Sequence, residues 1–438
     1  MNVLYGYLAA YIVLLLIVSY YVARRQNEED FLISGRNRGG WQLLFSKFAA
    51  AISAGYFITY TGFSYEYGLG VFTMVLGGVI GYLLYAYWAA PRIHAPSKEH
   101  KFYTVGDFVK HKTSDVLSSK VANVLAILII LSWSLVAVIG GGKIIHEFGL
   151  LSYQAAVLLT VLVVLAYVFL AGFKAVIITD IIQSIAILAL LVVVTKGIVG
   201  STSLSSLLST PTGSVDLATA FAFFLFGVLS VFSYANFYQL CYAAKTADKI
   251  KHGLGMAIIP IVITSCLLLL IGLFVAQKVP GLDSGLVFTE ALKQFLPASL
   301  LPLSIVMFFA GVMSSIDTNV YAICSHYVLN TRRDNAVKRI RTAVVVVLAI
   351  IAAISLVFTD VVDVSIFAGG ISLSLSFPMI YLIAGGVSKG RFLHSVGGGV
   401  LGLIIALVWL GFEPSAALFV LVGSLLGLAL PPRWLHQS

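Results

Sequence analysis

One short stretch, Gly311-Val312-Met313-Ser314-Ser315-Ile316-Asp317-Thr318, sets hydroxyls and a carboxylate inside a long apolar run. In a helix, Ser314, Asp317 and Thr318 stand at i, i+3 and i+4 and so share one face. Oxygen ligands of this kind suit a small hard cation, whereas a soft metal asks for Cys or imidazole. Of the 18 acids in the chain, only Asp317 and Asp180 fall inside apolar runs. Ionisable groups at such depth are costly and mark ion or substrate paths. Two further stretches offer small and hydroxylic residues at comparable depth. One is Ser46-Lys47-Phe48-Ala49-Ala50-Ala51-Ile52-Ser53-Ala54-Gly55-Tyr56, and the other carries Gly227, Ser230, Ser233 and Tyr234.

The elements that must hold these groups are membrane helices. Of 438 residues, 60% are hydrophobic and 10% charged, and the mean hydropathy is +1.02. Globular domains run near 25% charged, so a soluble enzyme is excluded, and disorder and nucleic-acid binding fall with it. A transmembrane barrel is excluded too, because barrel strands alternate with period two, while Gln154 to Leu170 is apolar all round. Apolar runs and their breaks predict an all-α membrane protein of about 13 transmembrane helices. They lie near 3–23, 41–64, 71–91, 121–146, 153–171, 175–198, 217–240, 254–277, 299–328, 340–358, 362–386, 395–411 and 415–430. The longest loop, Arg92 to Lys120, is expected to hold a short amphipathic helix.

Charge placement orients these spans. The charges of the first run, Arg24 and Arg25, follow it rather than precede it, which argues against a cleaved signal. With the N-terminus outside and the C-terminus inside, 22 of the 27 Lys and Arg fall on the inner side, and Lys47 sits within a span. That asymmetry follows the positive-inside rule and points to a multi-pass protein of the plasma membrane. Helices two to six begin inside and helices seven to eleven begin outside, so a 5+5 inverted repeat is expected. The whole chain, 1–438, then reads as one membrane domain. Its parts are an extra N-terminal helix (3–23), a first repeat (41–198), a second repeat (217–386) and two C-terminal helices (395–430). The three cysteines, Cys241, Cys266 and Cys324, have no paired or metal-ligand spacing. The eight His, three Cys and buried acids form no nucleophile–base pattern, so no enzymatic chemistry is expected.

At this level the chain resembles the sodium/solute symporters, whose members have a leucine-transporter-type core preceded by one extra helix. The resemblance covers about Ser34 to Pro378. Its most specific piece is Leu170-Ala171-Gly172-Phe173-Lys174-Ala175-Val176-Ile177-Ile178-Thr179-Asp180-Ile181-Ile182-Gln183, similar to the family's Gly-Gly-Phe-x-Ala-Val-x-x-Thr-Asp-x-x-Gln, with Ala171 in place of the first glycine. Ser34-Gly35-Arg36, Gly62-Phe63-Ser64-Tyr65-Glu66-Tyr67-Gly68-Leu69, Gln239 to Lys245 and the Ser-Ser-x-Asp at 314–317 are supporting pieces. The chain departs from the family in having Ala51 where a polar residue is frequent and Lys47 where an apolar one is usual. Leu382-Ile383-Ala384-Gly385-Gly386-Val387-Ser388-Lys389 also replaces the family's usual ending of the eleventh helix.

What the resemblance implies is sodium-coupled symport of a small polar organic solute by alternating access. The sodium ion is the coupling ion, with no other metal and no cofactor. The implied principal sodium site uses the carbonyls of Ala49, Ile52 and Gly311 with the hydroxyls of Ser314 and Ser315. A second site, present in some members, involves Asp180, Ser314, Asp317 and Thr318. Implied solute contacts are Ser53, Gly55, Tyr56, Trp133, Ser230, Ser233 and Tyr234, the last resembling the aromatic position that closes over solute from the inner side. Lys47 has two readings: it snorkels to the inner surface, or it pairs with Asp180 and reduces the sodium coupling. The expected partners are solute, sodium and the lipid bilayer, and the oligomeric state is left open. Two rivals stay open, a proton-coupled transporter of the same fold and a membrane sensor or scaffold that transports nothing.

Overall fold

The computed structural model describes residues 2–23, 36, 38–51, 54–149, 151–209, 215–331 and 335–431. The side chains at 2, 22–23, 46, 49–50, 54, 170–184, 186–187, 325, 329–331 and 336–337 are left aside. The described residues are almost wholly helical. In chain order they form α1 (Asn2–Ala23), α2 (Gly40–Ala51), α3 (Ala54–Tyr67), α4 (Phe72–Leu84), α5 (Ala90–His100), α6 (Val105–Thr113), α7 (Val116–Glu147), α8 (Tyr153–Ser201) and α9 (Leu204–Leu208). There follow α10 (Leu217–Leu229), α11 (Ala235–Ala243), α12 (Ala247–Lys278), α13 (Val287–Phe295), α14 (Leu301–Thr331), α15 (Ala336–Ser355), α16 (Val361–Ile383), α17 (Lys389–Leu410) and α18 (Ala416–Ala429). Eight helical runs among the described residues are long and apolar enough to cross a membrane, and three shorter apolar ones accompany them. In hydrocarbon, a helix alone satisfies every backbone group within its own segment, which is why continuous apolar sequence takes this form. Polar caps mark the starts: Asp115, Ser152, Asp216, Thr246, Asp360 and Ser388 each accept a hydrogen bond from a first-turn amide.

Boundaries agree with the sequence reading within about four residues at α1, α14, α15, α16 and α18, while α12 and α17 start six or seven residues earlier than expected and α13 lies where a loop was expected. Two further expectations change. The run expected at 71–91 continues to His100, because a turn of 3-10 helix (Gly68–Val71) and a π-helical turn (Tyr85–Ala89) join it without a stop. The break expected between 171 and 175 does not interrupt the helical ladder of α8, since a glycine costs a helix only about 1 kcal/mol and no proline follows. At 1.5 Å per residue a straight helix of 49 residues would reach about 73 Å, more than twice the hydrocarbon thickness. The expected amphipathic helix in the long loop is α6, clipped to α7 by Gly106 N donating to Asn123 Oδ1 (2.8 Å) and Ser119 Oγ donating to the Gly106 carbonyl (2.8 Å).

Packing gathers two cores. One joins α1, α3, α7, α8, α12, α13, α14 and α15 through residues such as Phe57, Val164, Phe274 and Phe308. The other joins α4, α5, α6, α7, α11, α16 and α17 through Tyr85, Phe108, Phe237 and Phe392. Helix α12 runs beside both α2 and α3, and α7 and α8 hold α14. Helices α4 and α10 touch at the backbone: a Cβ on Gly77 would collide with the Phe224 carbonyl, and one on Gly227 with the Met74 carbonyl. Close approach of this kind replaces hydrophobic drive in lipid with direct packing.

Both ends of the bundle are tied. At one end the strand-like residue before α2 pairs with the exit of α11, Arg38 N donating to the Ala243 carbonyl and Lys245 N to the Arg38 carbonyl, each at 3.0 Å. At the other end the segment 279–296, which carries α13, covers α3 and α7. Tyr65 OH donates to the Val279 carbonyl (2.9 Å) and accepts from Leu282 N (2.7 Å). Lys143 pairs with Asp283, and Lys293 with Glu147 at 2.6 Å.

Candidate functional site

Helix α14 carries the cation-binding set expected from sequence. Ser314 and Ser315 are 7% exposed and Asp317 is fully buried. The Ser315 hydroxyl donates back to the Gly311 carbonyl at 3.2 Å, so two of the expected ligands contact each other within one helical turn. Asp317 Oδ2 accepts from the Tyr167 hydroxyl of α8 at 2.6 Å, and that hydroxyl also lies 3.2 Å from the Met313 carbonyl. Asp317 Oδ1 accepts from Thr318 N at 2.5 Å and lies 3.3 Å from Thr318 Oγ1. The structure thus brings Gly311, Ser314, Ser315, Asp317 and Thr318 to two successive turns of α14, buried except for the half-buried Thr318. Ile52 lies outside the described residues, as do the side chains of Ala49 and Asp180, so these three expected ligands are not placed. Tyr167 is a contact that sequence reasoning missed. Its signal was a single phenol in the apolar run Gln154 to Leu170.

The second expected constellation gathers around an interrupted helix. After α10 the chain makes a turn of 3-10 helix over Ser230–Phe232, and Tyr234 is extended (φ −74°, ψ 119°) before α11 begins. The Ser233 hydroxyl donates to the Ser230 carbonyl at 2.8 Å and is fully buried, so it braces the turn. Across from it, the Trp133 ring on α7 meets Tyr234 edge-on with centroids 6.4 Å apart. Ser230 and Ser372 of α16 stand beside the same tyrosine. The buried Trp133 indole N–H stands beside the Tyr234 hydroxyl as well. Ser372, the second contact missed from sequence, is one of the buried serines along α16 with Ser365, Ser374 and Ser376.

Gly55 and Tyr56 open α3. The Tyr56 hydroxyl lies 2.5 Å from Ser265 Oγ, and its ring stacks on Tyr60 with centroids 4.0 Å apart. Tyr82 of α4 and Tyr60 stand within electrostatic reach of both Tyr56 and Tyr234, so a group of phenols links the two halves of the expected solute site. Ser53 lies outside the described residues.

Lys47 does not reach the surface, which corrects the snorkelling expectation. It is 3% exposed, and its Nζ rests 3.6 Å from the centroid of the Phe237 ring and 5.5 Å from that of Tyr82. The faces of these two rings attract the ammonium and hold it inside the bundle. Its expected partner, the Asp180 side chain, lies outside the described residues.

Comparison with known proteins matches residues 31–384 to the model of the sodium:solute symporter family. The sodium/pantothenate symporter of Escherichia coli is 23% identical over 97% of this chain and 96% of its own length. That of Haemophilus influenzae is 22% identical over 68% of this chain and 65% of its own, and a Staphylococcus aureus sodium/proline symporter is 24% identical over 42% and 37%. The match therefore spans less than two thirds of these last two relatives. Among solved structures, a Na+-coupled sialic acid symporter in a substrate-bound outward-open state superposes with a TM-score of 0.73 at 17% identity, covering 98% of each chain. A nucleobase-cation-symport-1 family transporter gives 0.64 at 14% identity, covering 92% and 94%. These two share the fold of the chain.

Proposed function

We propose, for a chain that belongs to the sodium:solute symporter family, sodium-driven uptake of a small polar organic solute by alternating access. The chain is an all-helical, multi-pass membrane protein of a transporter family, not of an enzyme family. The observation that carries the reading is the interrupted helix at Ser230–Tyr234. Irregular backbone at membrane depth is tolerated where it lines a cavity, and helices broken in this way hold the ion and solute sites of secondary transporters. Here the break faces Trp133 and stands next to the phenols that lead to Tyr56.

In this reading thirteen crossings form a 5+5 inverted repeat after α1, which requires the run of α8 to turn back on itself near Gly172 when it sits in the membrane. The N-terminus lies outside and the C-terminus inside the plasma membrane. Sodium is held by the carbonyls of Ala49, Ile52 and Gly311 and the hydroxyls of Ser314 and Ser315; a second ion uses Asp180, Ser314, Asp317 and Thr318. The back-bond between Ser315 and Gly311 keeps this turn formed, and Tyr167 holds the Asp317 carboxylate toward it. Solute contacts Ser53, Gly55, Tyr56, Trp133, Ser230 and Tyr234, with Ser233 supporting the turn rather than meeting solute. Sodium drives the cycle only to the extent that it binds the outward-open state better than the inward-open one.

The test is solute-stimulated entry of radiolabelled sodium into proteoliposomes across a panel of amino acids, carboxylates, sugars and vitamins. At least one solute is expected to accelerate sodium entry, and sodium in turn to accelerate entry of that solute, with potassium inert. Solute entry driven by a pH gradient and indifferent to sodium would replace this reading with proton coupling.

A further inference from the structure

Lys47 has a buried ammonium whose described contacts are two aromatic faces. None of the ion pairs among the described residues includes it. Ring faces favour the charged form of a lysine but do not neutralise it, and an unmatched charge removed from water is costly unless an opposite charge joins it. The position is also adverse for a sodium carrier. Lys47 precedes Ala49 by two residues, about 3 Å of helical rise, so its charge opposes a cation held by the Ala49 carbonyl. A negative group entering there would let both cations be held together.

The geometry says where that charge sits. Tyr82, which flanks the Lys47 ammonium, stands within electrostatic reach of Tyr56 and Tyr234. On the far side of Tyr234 stands the Trp133 indole, its N–H buried beside the Tyr234 hydroxyl. A buried lysine with no ion pair among the described residues thus borders one group of phenols that an indole closes. We propose that the solute carried is a small carboxylate and that Lys47 supplies its counter-charge. The inference rests on the transport reading above. It explains why a cation is tolerated there: the carboxylate cancels the repulsion between Lys47 and sodium, so each ligand strengthens the other's binding.

The experiment uses the full-length protein in detergent and reads the melting temperature with sodium or potassium. Its probes are matched pairs in which each small carboxylic acid stands beside its primary amide, among them lactate and lactamide, nicotinate and nicotinamide, and proline and prolinamide. In sodium, at least one carboxylate is expected to stabilise the wild type while its amide does not. Lys47→Met is expected to weaken that carboxylate by at least about thirtyfold, the effect of removing one partner of a buried charge pair, and Lys47→Arg to recover part of it. Without solute, the sodium shift of Lys47→Met should equal or exceed that of wild type, which also reports that the variant is folded. The inference is overturned by a panel in which no carboxylate stabilises, by equal binding of acid and amide, or by unchanged carboxylate affinity in Lys47→Met. Restoration of Lys47→Met by Asp180→Asn would also overturn it, because Lys47 would then serve Asp180. A carboxylate shift that Lys47→Met abolishes but that is indifferent to sodium keeps Lys47 as the counter-charge, overturns its mutual strengthening with sodium, and removes the sodium-coupled reading.

Discussion

Replacing Ser314 and Ser315 together by alanine tests the cation site where the structure describes it best. A ligand that binds only the folded protein adds RT ln(1 + [L]/Kd), so sodium at ~100 mM acting on a site with a Kd of ~1 mM adds about 2.7 kcal/mol. With an unfolding entropy of ~2.1 cal/mol/K per residue over 438 residues, that is a rise of about 3 °C. Each hydroxyl lost from a charged partner costs ~1.5–3 kcal/mol, so the double variant weakens sodium by at least ~100-fold, and less than about 0.5 °C of the rise remains. The variant should fold. Ser315 Oγ meets the Gly311 carbonyl, which also serves the helix ladder, so truncating Ser315 leaves that acceptor paired, and the pair of truncations should cost the sodium-free protein ~0.5–3 kcal/mol. The assay is thermal unfolding in sodium, potassium and choline. A sodium rise of full size in the double variant, or an equal rise in potassium, would refute the placement of the ion at Ser314 and Ser315.

Three other outcomes follow from contacts on different elements. Tyr167→Phe removes the donor to a fully buried carboxylate and should cost ~1.5–3 kcal/mol, read as a lower melting temperature in sodium-free buffer; no change would mean that the bond to Asp317 carries no stability. Gly227→Ala drives a methyl into the Met74 backbone and should destabilise by ~1–3 kcal/mol or more. Gly78→Ala, with open space around it, should gain ~0.5–1 kcal/mol, so equal effects at the two sites would refute the backbone contact between α4 and α10. Burial, then His100 and Lys112, hold His111 of α6 below the ordinary imidazole range, and its ring centroid is 4.7 Å from that of His100. The unfolded chain therefore takes this proton more readily, and the stability due to the neutral ring, present above pH 6.5, is lost as pH falls below it. Melting temperatures from pH 7 to pH 5 should fall less in His111→Gln than in wild type.

Much of the helix layout is legible in the sequence because lipid leaves the chain few alternatives. The span expected at 3–23 is α1 at Asn2–Ala23, and the polar break at Ser230–Tyr234 shows as a stretch where small residues and hydroxyls displace aliphatics. The turn of α14 is legible because its ligands are neighbours in sequence. What depends on tertiary contact is not. The burial of Lys47 needs Tyr82 and Phe237, 35 and 190 residues away, and a lysine stem is long enough to snorkel when such rings are absent. Tyr167 and Ser372 looked like core residues because their partners, Asp317 and Tyr234, come from other helices. Helix α13 escaped notice because it lies in a connection read as loop and gains its burial by folding onto α3 and α8.

The two ends of the bundle are held by interactions of different kinds, and the difference bears on how sodium can drive the cycle. In the proposed orientation the inner end is tied by paired backbone, Arg38 with Ala243 and Lys245, and by Arg36 donating to the Phe102 carbonyl at 3.0 Å. The outer cover leans on Lys143 with Asp283 and Lys293 with Glu147, in which Asp283 and Glu147 are 44% and 36% exposed. Ion pairs open to water contribute ~0–1 kcal/mol each, so together they hold the cover by no more than about 2 kcal/mol. A sodium ion that adds about 2.7 kcal/mol to one state shifts a two-state balance by about 100-fold, enough to outweigh both pairs. The same ion would not by itself break the backbone pairing at the inner end. In the proposed cycle, opening inward then requires the further free energy of solute closing the site around Tyr234, and that requirement would make sodium entry depend on solute.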